Sequence, residues 1–113
     1  DQQMDSMVAA LNKACSDYGV TADIHVNHSY SAFSLTEDDY AVQLAIRAAK
    51  AIGVTPSIES TGGGSDANII NAHGIPSVVL GVGYTGVHTT SEAISVEQLT
   101  AAARYVLSII TES

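Results

Sequence analysis

Two loops of the sequence carry residue types that could bind a ligand or a metal ion. The first is Gly62-Gly63-Gly64-Ser65-Asp66, which lies between a strand pattern and a helix pattern. Glycines allow unusual backbone conformations and a close approach to backbone N–H groups, and a helix start favours an anion. The turn therefore suits a carboxylate or a phosphate, with Ser65 adding a hydroxyl donor. The alternative is a tight structural turn in which Ser65 caps the helix.

The second loop contains a histidine between an apolar strand and a helix. Residues 83–94 show no periodicity, and His88 lies near their centre. A histidine at the carboxyl end of a strand can present a ring nitrogen to a metal. Glu92 is near enough in sequence to orient either the ring or the loop. The alternative is a surface histidine in a polar loop, the usual interpretation of a single histidine.

Structural roles explain the other candidate groups. His25 and His28 are three residues apart and point to opposite faces of a strand, so they are not expected to share a metal. His73 ends a helix, where a cation favours the helix dipole. Packing or helix-start roles are predicted for Cys15, Asp38, Asp39, Tyr18, Tyr30, Tyr40 and Tyr105.

The elements that must position these loops follow from the periodicity of apolar residues. Helices are predicted over 3–18, from Thr36 as N-cap to Gly53, over 66–72, and after Ser95, which forms a capping box with Gln98. Strands are predicted over 22–28, 57–60 and 77–82, the last an apolar run that predicts burial on both faces. The order predicts an α/β fold with a parallel sheet, preceded by a small α/β unit.

The composition limits the classes of partner. The 113 residues are 46% hydrophobic, which is enough for a core, and the formal net charge of -8 leaves no basic surface for nucleic acid or an anionic membrane. The single cysteine, Cys15, excludes an internal disulfide, and we expect a reducing, cytoplasmic location. The chain opens on Asp1 without a methionine, so we expect a fragment of a longer protein.

Both loops together, at this separation, resemble the peptidase T-like zinc metallopeptidases, whose relatives include glutamate carboxypeptidases and succinyl-diaminopimelate desuccinylases. The resemblance rests on the segments 62–68, 72–76, 80–84 and 88–92, which read GGGSDAN, AHGIP, LGVGY and HTTSE. It implies that residues 32–113 are the C-terminal part of a catalytic α/β domain. Residues 1–31 would then end an inserted α+β lid, or dimerisation, domain.

The resemblance also implies a mechanism and a set of site residues. Two zinc ions per intact active site would activate a water that attacks the peptide carbonyl of a short peptide. His88 matches the family's last metal ligand, and Glu92 would support it. Gly62, Gly63, Gly64 and Ser65 would line the substrate end of the cleft. The implied partners are the N-terminal half of the same protein, which carries the other ligands and the general base, and a second copy bound through the lid.

We therefore expect a fragment of a zinc-dependent tripeptidase or aminopeptidase that contains no catalytic residue of its own and is inactive alone. One alternative keeps the fold but changes the substrate, to give an N-acyl amino acid amidohydrolase. The other is a non-catalytic α/β module that binds anions at the Gly62–Ser65 turn.

Overall fold

Helices dominate the computed structural model, which describes residues 2–112. These helices are α1 (Gln2–Tyr18), α2 (Tyr40–Ala51), α3 (Asp66–Ala72) and α4 (Val96–Glu112). Within that range the sole β pairing is an isolated antiparallel bridge between Thr85 and Ala93. None of these helices is both long enough and apolar enough to span a bilayer.

The helix ends follow the local sequence signals. α1 and α2 are each followed by a glycine with positive φ, Gly19 at 62° and Gly53 at 77°, conformations that other residues adopt at a cost. At the start of α4, Gln98 N–H donates to the Ser95 hydroxyl over 3.1 Å, and Ser95 N–H donates to the Gln98 amide oxygen over 3.4 Å. The predicted capping box of α4 is therefore confirmed.

The start of the second helix was predicted too early. Asp39, rather than Thr36, is the N-cap of α2, and residues 36–39 form a turn. The Asp39 carboxylate accepts hydrogen bonds from the Thr36 N–H and hydroxyl over 2.6 and 3.0 Å. Thr36 and Asp39 thus bond to each other in a turn that ends directly before the first residue of α2. This bonding accounts for Asp39 without any catalytic role.

The predicted strands are not formed as a sheet within residues 2–112. The segments 22–28, 57–60 and 77–82 have no strand assignment there. The expected burial of the last segment on both faces is not confirmed either, because in this chain Val79 is 52% exposed and Val82 is 38% exposed. A strand needs a neighbouring strand for its backbone hydrogen bonds, and no described segment provides one. The helices of the predicted α/β fold are confirmed, and its sheet is not.

The core lies where α2 packs against α4, which is the helix pair in contact among the described residues. Small side chains of α2 allow the approach: Ala45, Ala48 and Ala49 are 7%, 0% and 1% exposed. From α4, the Tyr105 hydroxyl donates to the Ala45 carbonyl over 2.9 Å, and the Ser108 hydroxyl donates to the Ala48 carbonyl over 3.1 Å. Desolvation at this contact raises the pKa of Tyr105.

The rest of the molecule exposes much more surface than a compact domain of this size. The accessible area is 8863 Å², whereas about 5,900 Å² is expected for a compact monomer of 11.7 kDa. The radius of gyration is 19.9 Å, against about 13 Å for a compact chain of this length.

Helix α1 accounts for part of this exposure. It buries none of its residues, and its apolar stripe is open, with Met7 and Leu11 each 51% exposed. Cys15 is half-buried rather than buried. The proposed domain boundary at residue 31 stays a prediction.

Candidate functional site

The loop that carries His88 is closed at its base and tightly bonded inside. Thr85 and Ala93 form the bridge through two backbone hydrogen bonds of 2.8 and 3.0 Å. The Thr89 hydroxyl donates to the Gly86 carbonyl over 2.6 Å, and it accepts the Ser91 N–H over 3.2 Å. The loop is therefore a defined turn structure, although the sequence shows no periodicity there.

His88 has the one positive φ among the described residues other than glycine, at 59°. Such a left-handed conformation costs a residue with a side chain of order 1–3 kcal/mol unless its surroundings hold it. The His88 N–H donates to the Glu92 carboxylate over 2.8 Å, and this bond holds the strained residue. Of the two roles considered for Glu92, the structure supports the fixing of the loop backbone, because the carboxylate bonds to the His88 main chain.

The glycines of the Gly62–Gly64 turn are present for a different reason from the one predicted. None of the three glycines has a positive φ, so unusual backbone conformations are not the reason for them. A Cβ at Gly62 would meet nothing within 4 Å, whereas a Cβ at Gly64 would overlap the phenol of Tyr30. Gly64 is therefore required by a close side-chain contact. Gly62 and Gly63 leave their surface open.

The turn is fastened to the linker that precedes α2 by one buried side chain. Asn68, in the first turn of α3, is 8% exposed. Its amide oxygen accepts the Ser65 N–H over 2.9 Å, and its amide nitrogen donates to the Ser31 carbonyl over 2.9 Å. Ser65 is the N-cap of α3, as predicted.

The sequence predicted no role for Tyr30 or Asn68 in binding a ligand or in joining the turn to another segment. Tyr30 was interpreted as a packing residue, and nothing in its sequence context distinguishes it. Asn68 occupies the third helical position after a serine cap, a spacing that could have suggested its bond to Ser65.

The structure does not link the two loops directly. Among residues 2–112, the hydrogen bonds around the glycine turn join Gly63 to Thr61, Ser65 to Asn68, and Asn68 to Ser31. Those of the His88 loop stay within residues 85–93. Two open grooves, of about 180 and 250 Å³, lie elsewhere, and neither is lined by Gly62–Ser65 or His88.

The described residues do not form a metal site by themselves. They contain no group of three or more His, Cys, Asp or Glu that could hold an ion. His88 supplies one imidazole, whereas protein zinc sites take three or four protein ligands. His25 contacts the Asp23 carboxylate over 3.2 Å, and His28 contacts the Ser31 hydroxyl over 3.1 Å. The ring of His73 donates to the Ile69 carbonyl at the end of α3 over 2.8 Å, as its predicted capping role requires.

Comparison with known proteins identifies the chain. The model of peptidase family M20/M25/M40 matches residues 3–112. The chain belongs to this peptidase family. The match spans both loops and nearly the whole chain, so the resemblance inferred from the loop motifs is confirmed. Membership of a peptidase family argues against a non-catalytic anion-binding module.

Two solved peptidase structures resemble this family member over most of its length. An aminopeptidase PepT from Bacillus cereus is 45% identical with a TM-score of 0.77, over 99% of this chain and 31% of that one. A tripeptidase from Staphylococcus aureus is 43% identical with a TM-score of 0.68, over 73% of this chain and 22% of that one. The uncharacterized protein YqjE of Bacillus subtilis is 39% identical over all of this chain and 30% of its own length.

The chain thus spans about a third of the length of the relatives it matches. The expectation of a fragment of a larger peptidase agrees with this coverage.

Proposed function

We propose that this family M20 chain is part of a dinuclear zinc peptidase that hydrolyses short peptides. The proposal rests on one observation above all. The motif-bearing loop is built to present a histidine, because it holds His88 at a φ of 59° through the Glu92 carboxylate. A surface histidine without a function would give no reason to retain a strained conformation.

His88 would serve as one metal ligand, and the other ligands would come from the part of the protein outside this chain. The bound zinc would supply Lewis-acid chemistry, by polarising the peptide carbonyl and activating water. The work of this chain is to orient the His88 imidazole through its backbone. We expect a cytoplasmic location, in keeping with the free Cys15.

The glycine turn would hold the carboxylate end of the substrate. Gly62 and Gly63 have open surface, and Ser65 caps α3 beside them. The similarity to an aminopeptidase and a tripeptidase supports a short peptide as the substrate.

The test is zinc binding and peptidase activity of the full-length protein that contains this chain. We expect tripeptide hydrolysis that is lost on chelation and restored by zinc. His88→Ala should lower the zinc stoichiometry or affinity and abolish most of the activity. His25→Ala is the matched control, because His25 is exposed on another segment. Full activity of the His88→Ala variant would refute the assigned ligand. Preference for N-acyl amino acids over peptides would favour the amidohydrolase alternative.

A further inference from the structure

Tyr30 is placed directly on the glycine turn although it lies more than thirty residues earlier in the chain. Its hydroxyl and ring occupy the space that a Cβ of Gly64 would need. Tyr30 is also 51% exposed, so part of the phenol faces the surroundings of the turn. The ring is thus seated on the backbone of the proposed substrate-binding loop.

The segment that carries Tyr30 is held there by a buried polar clamp. Asn68 joins the Ser31 carbonyl, one residue after Tyr30, to the Ser65 N–H at the end of the turn. Both bonds are 2.9 Å long and Asn68 is 8% exposed, so the side-chain amide that makes them is shielded from water, whereas Ser31 and Ser65 are exposed. Loss of either bond would leave a buried polar group without a partner, which is costly. The Tyr30 phenol therefore has a fixed place beside Gly64.

The hydroxyl of Tyr30 differs from that of Tyr105 in its bonding. The Tyr105 hydroxyl donates to a helix carbonyl. Among the hydrogen bonds of residues 2–112, none involves the Tyr30 hydroxyl, which remains available as a donor. A neutral phenol beside open glycine backbone is suited to a hydrogen bond with a carboxylate oxygen.

We propose that Tyr30 is a substrate-binding residue whose hydroxyl donates a hydrogen bond to the terminal carboxylate of the peptide at the Gly62–Gly64 turn. This inference rests on the proposed function, and it adds a residue from the segment between α1 and α2. It also explains why Gly64 carries no side chain, because a Cβ there would push the phenol away from the turn. Substrate recognition would then depend on the linker and on the clamp by Asn68.

The experiment measures binding and hydrolysis of two probes by the full-length protein: a tripeptide with a free terminal carboxylate and the same tripeptide as its C-terminal amide. Tyr30→Phe removes only the hydroxyl and keeps the ring against Gly64. We expect about ten-fold weaker binding of the free tripeptide, the size expected for a hydrogen bond to a charged group. We expect little change for the amide. KM should rise while kcat holds, because the contact is present before and during the reaction.

Gly64→Ala tests the same contact from the other side. Its new Cβ should displace the phenol and weaken binding of the free tripeptide, and adding Tyr30→Phe should cause little further loss. Tyr18→Phe is the control, since Tyr18 is 83% exposed at the end of α1.

Each outcome is decisive. If the wild-type protein binds and cleaves neither probe, the proposed function fails and the role of Tyr30 fails with it. If the wild type prefers the free carboxylate and Tyr30→Phe behaves like the wild type, only the role of Tyr30 is overturned. Equal weakening of both probes by Tyr30→Phe would also overturn it.

Discussion

Removing the Glu92 carboxylate should misplace His88 without touching its imidazole. In Glu92→Ala the His88 N–H loses its acceptor at 2.8 Å. A hydrogen bond to a charged group contributes about 1.5–3 kcal/mol, and the exposure of this carboxylate to water reduces that to about 1 kcal/mol. The left-handed conformation of His88 costs a similar amount at the lower end of its range of roughly 1–3 kcal/mol, where histidine belongs because it adopts this conformation more often than most residues. The two effects nearly balance in the native loop.

Loss of this hydrogen bond should therefore let His88 leave its φ of 59° for part of the time. About 1 kcal/mol lowers the ratio of oriented to relaxed conformer roughly five-fold, so from a near-even balance the oriented fraction falls from about a half to about a sixth. If His88 is a zinc ligand, the zinc affinity of the full-length protein should fall about three-fold, in proportion to the oriented fraction. Glu92→Gln keeps an oxygen acceptor and should give an intermediate value.

Competition with a chromophoric chelator measures the zinc affinity, and the amide resonance of His88 reports on the loop. Glu37→Ala removes an exposed carboxylate from the turn before α2 and serves as the charge-matched control. The reasoning would be refuted if Glu92→Ala kept wild-type zinc affinity while His88→Ala lost it. It would also be refuted if the His88 amide resonance did not move in Glu92→Ala.

Three further predictions concern the helix pair and the isolated chain. Ala48→Leu should lower the free energy of unfolding by about 1–3 kcal/mol, because Ala48 is 0% exposed between α2 and α4. Urea denaturation measures this change, and Ala51→Leu is the control, because Ala51 is exposed on the same helix and should tolerate the larger side chain. Burial raises the pKa of Tyr105, so its contribution to stability should be complete below its unfolded pKa of about 10 and be lost as the pH rises through the folded value. Tyr105→Phe should remove that alkaline dependence in circular-dichroism melts, and an unchanged dependence would exclude Tyr105 as its source. The 113-residue chain alone should bind zinc weakly and hydrolyse no tripeptide in a chromatographic assay, whereas robust cleavage would contradict the need for further ligands.

The helices could be predicted from sequence because their signals are local. Apolar spacing, the glycines at 19 and 53 and the Ser95 capping box each act within a few residues, and the structure confirms them. The sheet could not be predicted from local signals, since strand pairing depends on segments distant in the chain or outside it. The early start given to α2 came from reading Asp39 as a helical residue when its carboxylate closes a preceding turn.

The candidate site was predicted in part for the same reason. The two loop motifs were recognised as patterns, and they identified the family. The contact between Tyr30 and Gly64 joins residues 34 positions apart, so no periodic pattern in the sequence indicates it. The positive φ of His88 was not predicted either, because such a conformation is uncommon for any residue other than glycine, although histidine adopts it more often than most.

The uncovered segment 77–82 has a consequence for handling the protein. Its sequence, SVVLGV, combines β-branched residues, no charge and no proline, and within residues 2–112 it pairs with no strand, although Asn71 bonds to the backbone of Ser77. Such segments template intermolecular β-pairing and aggregation when they are left open. The net charge of -8 opposes this association at low ionic strength, and added salt weakens the protection. Salt-induced self-association of the 113-residue chain should thus begin at residues 77–82.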